Sequence, residues 1–541
     1  MEHEISDACV RPREIILLLG WLLICGGLMF LRSFHAAYSF DDVAHLHALA
    51  AFRAGEISLP TFLLHNHNEH FLPLVRLYFM AATRISGLSS SAMHVLLFLN
   101  YIAGAFGCAW ICFSLTRSRL GAFLAGTLFA GAGGFAASML WQTSDGEFSI
   151  AGTPLIFAIA ILVSPYARKR WTDAVVLLLM FVSAMGLGSI SVAALVVPIY
   201  LFVAKPATFP PGRRKVMTFL SASLVAAILV TSKWLMASHH TRTLQFALRG
   251  IYDGVLLVFF TAGRFLLAWT PFNELSLTVD VLASIAGWTL LLLTLRWVPR
   301  SLRQLLLAVW AANGLLALLI GMGRWKIATV VDLFATDRYH YIFLLPLTLQ
   351  AAAVLAYATC RLLQGAAPQR KRALAVALVC LLFAALAMAR IRFDKETMWY
   401  FVHQYELEFR EAKVLADIVQ KEAATRPLHL ADGRIHFPGT LHEHLGFSTV
   451  IFTEYPKGLP GVVWSLSRTP TTSVDLPFDV APISSADAAV ENQIFDQWAK
   501  AVNRRPYSCI IDGTMQDVRL VDSCVEAAKL SNPPVEPVLT H

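Results

Sequence analysis

The chain is 541 residues long, 57% hydrophobic and only 15% charged, with a mean hydropathy of +0.59. A soluble globular protein is nearer half apolar and a quarter charged, so this composition defines a polytopic membrane protein. The net charge of +8 does not point to nucleic acid, because the basic residues fall in short clusters between apolar runs, as they do in cytoplasmic loops.

Arg11 and Arg13 precede an apolar run over 15–31. No small-residue cleavage site of the A-x-A kind follows it, so the expectation is an uncleaved first helix. The stretch from Tyr38 to Pro73 then gathers Asp41, Asp42, Glu56, Glu69 and the histidines at 45, 47, 65, 67 and 70. Ionisable groups this dense beside a membrane span mark a functional site by default; the plain alternative is a wet loop.

Further apolar runs fall at 92–115, 119–138, 148–164, 173–190, 190–204, 216–237, 279–295, 304–321, 341–362 and 373–389, giving about eleven spans in all. A span takes roughly 17–25 residues. With this count Arg11/Arg13, Arg117/Arg119, 168–170, 213–215, Arg296/Arg300/Arg303 and 370–372 all fall on one side, the cytoplasmic one by the positive-inside rule. Two apolar-looking segments must then not cross: 71–88, interrupted by Arg76 and Arg84, and 252–272, interrupted by Arg264. Both are expected as juxtamembrane or re-entrant helices on the outer face, where such backbone is tolerated when buried in protein or lining a wet cavity.

The expected architecture is thus a polytopic α-helical membrane region over 1–390 and a mixed α/β extracytoplasmic domain over 391–541. The latter should carry an amphipathic helix over 407–424 and short strands at 428–430, 449–452 and 508–512. Cys509 and Cys524 lie in that polar portion, where a disulfide is compatible with an oxidising compartment. The tail after Asn532 is expected to be loosely ordered.

Asp41 and Asp42 can act as general base and orienting acid, or as oxygen ligands of a divalent cation such as Mg or Mn, with Asp42 the candidate ligand. Acids at a helix N-terminus that merely complement its dipole are the plain reading. His65, His67, Glu69 and His70 have strand-like spacing and no H-E-x-x-H pattern. Glu69 and His70 are therefore read as marking the entrance to the helix that begins at Phe71 and contacting substrate or the Asp pair, with a transition-metal site as the lesser alternative. Asp145 and Glu147 sit in a short outer loop. Arg324, Lys326 and Arg338, followed by Tyr339, are basic residues on the face where positive charge is disfavoured, which a bound phosphate would explain. Salt bridges to local acids are the alternative. No Walker A, dinucleotide-binding or serine-hydrolase motif is present.

The layout resembles the GT-C-fold glycosyltransferases that use polyprenyl-phosphate sugars, and is similar to the protein mannosyltransferase and aminoarabinose transferase families. One span leads to Phe40-Asp41-Asp42, then to Asn68-Glu69-His70-Phe71-Leu72-Pro73, then to a basic turn at Arg117–Arg119. A second acidic loop at Asp145 and a late Arg338-Tyr339 pair follow, with a polar C-terminal domain on the outer face. The segment reads His-Phe-Leu-Pro where the best-known members have His-Pro-Pro, and no arginine shortly precedes Asp145. The resemblance therefore names neither sugar nor acceptor. It implies an enzyme of a bacterial inner membrane, N-terminus cytoplasmic and C-terminal domain periplasmic. Such an enzyme takes a sugar from a polyprenyl-phosphate donor and passes it to a glycan, lipid or protein acceptor, with inversion and with Asp41 or Asp42 as base. A transporter or flippase of a lipid-linked or anionic substrate, and a membrane scaffold, are the competing readings.

Overall fold

The computed structural model describes residues 11–35, 38, 41–64, 71–87, 89–132, 146–237, 248–270, 277–324, 343–364 and 367–393, with four strands at 434–438, 479–483, 509–511 and 519–521. Among them the helices are α1 (Pro12–Phe30), α2 (Asp41–Arg53), α3 (Leu59–Leu64), α4 (Pro73–Ser86), α5 (Ser91–Thr116), α6 (Arg119–Gly131), α7 (Gly146–Val163), α8 (Trp171–Gly186), α9 (Val196–Ala204), α10 (Pro211–Ala237), α11 (Leu248–Leu267), α12 (Leu277–Thr294), α13 (Arg300–Arg324), α14 (Leu344–Leu363) and α15 (Pro368–Phe393). The chain divides into two units. One comprises 1–34, 63–78 and 93–399; the other comprises 35–62, 79–92 and 400–541.

Among the described residues, eight helices are long and apolar enough to cross a membrane: α1, α5, α10, α11, α12, α13, α14 and α15. Seven of these coincide with expected spans. The other four expected spans are the shorter apolar helices at 119–131, 149–163, 171–186 and 190–204. The count of eleven therefore meets eight helices of spanning length, one of which, α11, was expected not to cross.

Why the helices begin and end where they do follows from local chemistry. Pro12 opens α1, where its missing N–H costs no hydrogen bond. Ser118 caps α6 by accepting from the Gly121 N–H at 2.9 Å. Arg117 and Lys205, both in the left-handed region, turn the chain at the ends of α5 and α9.

Contacts within the helical unit gather the basic turns. Glu14 at the start of α1 pairs with Arg119 at the start of α6 (3.1 Å). The Ser301 hydroxyl donates to the Leu115 carbonyl, which brings the start of α13 to the end of α5. Arg213 at the start of α10 bonds to the carbonyls of Arg168 and Lys169 and to Asp173. At the opposite end, Arg390 of α15 donates to the Leu28 and Met29 carbonyls of α1.

That polarity decides how α11 runs. α10 starts among the basic turns, and so does the short link from α12 to α13, so α11 joins the far end of α10 to the far end of α12. Where its two ends lie is fixed by its own contacts. Gly250 and Gly254 meet Gly321–Met322 and Ala317–Leu318 near the far end of α13, while Phe259, Ala262 and Gly263 meet Trp288, Gly287 and Ser284 of α12. α11 thus runs antiparallel to both members of a hairpin, which only an oblique crossing allows. The backbones approach closely because small residues face each other, Gly250-x-x-x-Gly254 against Ala317-x-x-x-Gly321.

The core of this unit is apolar and aromatic. Trp21 of α1 donates to Thr127 of α6 at 2.8 Å and stacks on Phe123. Leu18 packs against Ala109, Phe113 and Ala122. Tyr101 sits between Phe30 and Phe129 and donates to the Phe129 carbonyl.

In the second unit the four strands β1 (Arg434–Pro438), β2 (Asp479–Ile483), β3 (Cys509–Ile511) and β4 (Arg519–Val521) form one sheet of order β2-β1-β3-β4. β1 pairs in parallel with β2 and β3, and β3 pairs antiparallel with β4. The strand expected at 508–512 coincides with β3. The strands expected at 428–430 and 449–452, the helix at 407–424, Cys524 and the tail lie outside the described residues.

Candidate functional site

The Asp41-Asp42 pair opens α2. Asp42, His45, Leu46 and Leu49 recur at helical spacing and are all fully enclosed, so the carboxylate begins the buried stripe of an amphipathic helix. Its place in the first turn sets it against the positive pole of the helix. Tyr38 precedes α2 and is only 1% exposed.

Phe79 organises this cluster. Its ring stacks with Tyr38 (centroids 5.7 Å apart) and with His45 (5.3 Å), so one aromatic side chain from α4 sets the orientation of both. Burial drives the Tyr38 phenol well above its usual range, the Asp42 charge raises it further, and Arg53 pulls it down. Arg53, at the other end of α2, donates to the Thr83 hydroxyl of α4 at 2.8 Å. Burial lowers the Arg53 guanidinium, and the Arg84 charge adds to that. In chemical terms this is a desolvated carboxylate with a protonated phenol and an imidazole near it. It is an acid–base constellation rather than a hydrophobic plug.

Two of its members were visible in the sequence as composition only. His45 was one of many histidines in the stretch, and its position three residues after Asp42, on the same helix face, was the usable signal. Tyr38 carried no such signal, because its place depends on Phe79, far along the chain. Asp41 is the first residue of α2, and its side chain lies outside the description. So do the side chains of Arg324, the last residue of α13, and of Glu147. Glu69, His70, Asp145, Lys326, Arg338 and Tyr339 lie outside the described residues altogether.

Among the described residues no group of three or more His, Cys, Asp or Glu converges. The described residues alone do not assemble a donor set for a divalent cation at Asp42.

Two features belong to the helical unit by itself. Arg76 of α4 is 2% exposed, and burial draws its guanidinium down to about 10. An apolar pocket is lined by Phe129, Leu155, Ile156, Val309 and Leu345, with Asn313 as its polar member.

Fold and site together define a polytopic helical membrane protein with an enclosed acid–base cluster on a short helix. No protein-family model and no curated protein matches the chain. Among solved structures it is similar to ArnT from Cupriavidus metallidurans bound to undecaprenyl phosphate, at 12% identity over 93% of each chain with a TM-score of 0.49. It is likewise similar to the same protein in the apo state, at 14% identity over 92% of each chain with a TM-score of 0.49.

Proposed function

We propose that this protein is a membrane glycosyltransferase that moves a sugar from a polyprenyl-phosphate donor to an acceptor on the outer, periplasmic face of a bacterial inner membrane. The observation that carries the reading is the enclosed carboxylate of Asp42 on α2, flanked by Tyr38 and His45. A carboxylate taken out of water in a chain this apolar is expensive, and acid–base work is a reason to keep it.

In the proposed reaction the acceptor hydroxyl attacks the anomeric carbon as Asp42 takes its proton. The bond from that carbon to the phosphate oxygen breaks, the electron pair leaves with the phosphate, and the configuration inverts. Enclosure keeps bulk water from competing as the nucleophile. The departing phosphate gains charge and needs cations aimed at it; Arg324, Lys326 and Arg338 are proposed for that role. Glu69, His70, Asp145 and Tyr339 are proposed to hold the sugar and acceptor. Asp41 is the alternative base, and a divalent cation on the acids the alternative source of positive charge. The donor's tail would lie between spans, for which the pocket beside Phe129 and Leu345 offers an apolar surface.

The test is sugar transfer in membranes given a mixture of radiolabelled polyprenyl-phosphate sugars, comparing wild type with Asp42→Asn and Asp41→Asn at equal protein level. The expected result is transfer in wild type and a loss of at least a hundredfold in Asp42→Asn, in line with removal of a general base. Full activity in Asp42→Asn would remove its assigned role. Movement of the lipid without bond breakage would make the protein a flippase.

A further inference from the structure

At the basic end of the helical unit the described acids are already engaged. Glu14 pairs with Arg119 and Asp173 with Arg213. The link from α12 to α13 and the end of α14 have no such counterpart. Arg296, Arg300 and Arg361 are exposed there, and the chain carries no acid between Asp280 and Asp332 or between Asp337 and Asp394. Among the described residues none of these three arginines meets a carboxylate.

Two of the three are held in place rather than loose. α12 and α14 lie side by side, since Gln350 donates to the Leu291 carbonyl (2.6 Å) and the Thr294 hydroxyl (3.2 Å). Further toward the basic end Trp297 and Tyr357 stack, their centroids 6.3 Å apart and their planes 20° from parallel. The Arg296 guanidinium lies 5.3 Å from the centre of the Trp297 ring, and that of Arg361 lies 5.3 Å from the centre of the Tyr357 ring. Arg361 Nε also donates to the Tyr357 hydroxyl at 3.0 Å. An aromatic pair drawn from two helices thus carries a cation on each member. The rings orient the cations but cancel none of their charge. Inward along the same helices, Leu290 and Leu293 of α12 and Leu355 of α14 are exposed.

From the membrane surface inward the order is therefore cations, aromatic rings, then bare leucines. A phospholipid presents its headgroup, glycerol and acyl chains in the same order, and basic residues between helices at this depth suit an anionic headgroup. We propose that the end of α14 and the α12–α13 link form a site for one anionic phospholipid. Arg296 and Arg361 supply the charge that meets its phosphodiester, Arg300 adds to it, and the acyl chains lie along the leucines. A lipid fits better than a soluble anion because the charges adjoin an apolar surface that only acyl chains would cover. The proposal is independent of the transferase reading.

The purified full-length protein in detergent is titrated with phosphatidylglycerol and, separately, with phosphatidylcholine of the same chains, and bound lipid is counted by native mass spectrometry. Wild type is expected to bind one phosphatidylglycerol about tenfold or more tighter than phosphatidylcholine, as two arginines beside an anionic headgroup would give. Arg296→Gln/Arg361→Gln should lose most of that preference. Arg370→Gln/Arg372→Gln, which removes the same charge from the same end, should keep it. Equal binding of the two lipids by wild type overturns the proposal. So does an equal loss in both double variants, which would mean diffuse attraction. Displacement of the bound phosphatidylglycerol by inorganic phosphate at equal concentration would assign the site to a free anion and likewise overturns it. Should Arg296→Gln/Arg361→Gln fail to fold, wild type with phosphatidylglycerol carrying a photoreactive headgroup decides. Crosslinks confined to 295–300 and 357–364 support the site, and crosslinks elsewhere or spread over the basic end refute it.

Discussion

Arg213 ties the turn before α8 to the start of α10, and its removal gives the best-defined energetic prediction. Its Nε and Nη2 donate to the two carboxylate oxygens of Asp173 at 2.7 and 2.5 Å, a bidentate fork. Nη1 donates to the Arg168 carbonyl (3.1 Å), and Nη2 also reaches the Lys169 carbonyl (2.9 Å) and the Thr172 hydroxyl (3.2 Å). The guanidinium also lies 4.5 Å from the centre of the Phe209 ring. The two charged side chains are 14% and 23% exposed. The pair therefore falls between an exposed bridge, worth about 0–1 kcal/mol, and a buried pair whose rupture costs about 3–5 kcal/mol. Arg213→Ala should cost about 2–3 kcal/mol, the carbonyls near the surface regaining water. In a double-mutant cycle with Asp173→Ala the coupling should be about 1–2 kcal/mol. Arg213→Lys keeps the charge but loses the fork, and should retain about half of that coupling. The assay is denaturant unfolding in detergent followed by tryptophan fluorescence on all four members of the cycle. A coupling below about 0.3 kcal/mol would show the fork to be energetically idle, and the reasoning would fail.

Gly254→Val should destabilise by about 1–3 kcal/mol, because the new Cβ would stand 2.7 Å from the Ala317 oxygen and Leu318 Cα, backbone atoms that cannot swing aside. Gly20→Ala on α1, which meets nothing within 4 Å, is the control and should be neutral or stabilising in the same melt. Tyr38 gives a pH prediction. Its phenol is raised in the folded protein by burial and by Asp42, so above about pH 10 the unfolded chain deprotonates first. Stability should then fall as pH rises, and Tyr38→Phe should flatten that part of the profile; an unchanged alkaline limb would contradict the assigned environment.

The sequence by itself determined the class of protein and its polarity. Mean hydropathy and the length of the apolar runs mark the helices because a spanning segment must satisfy its backbone internally and present apolar side chains along its length. Arg11, Arg117, Arg168, Arg213 and Arg300 alternate with those runs, so their grouping at one end was legible from charge alone. So was the acidic pair opening α2. The alternation of basic clusters already required 252–272 not to cross. What only the tertiary structure decided is how α11 is held, with Gly250 against Gly321 and Gly263 against Ser284, because no local pattern encodes contacts so far apart in the chain. Likewise the spacing of Asp42 and His45 put them on one helix face. That Phe79 would stack on both Tyr38 and His45 was not readable, because stacking depends on how α4 packs on α2, not on either helix alone. Asp253 makes the same point most sharply. In the sequence it was one acid among several on the outer face, and only packing buries it, with no hydrogen-bond partner for its carboxylate among the described residues.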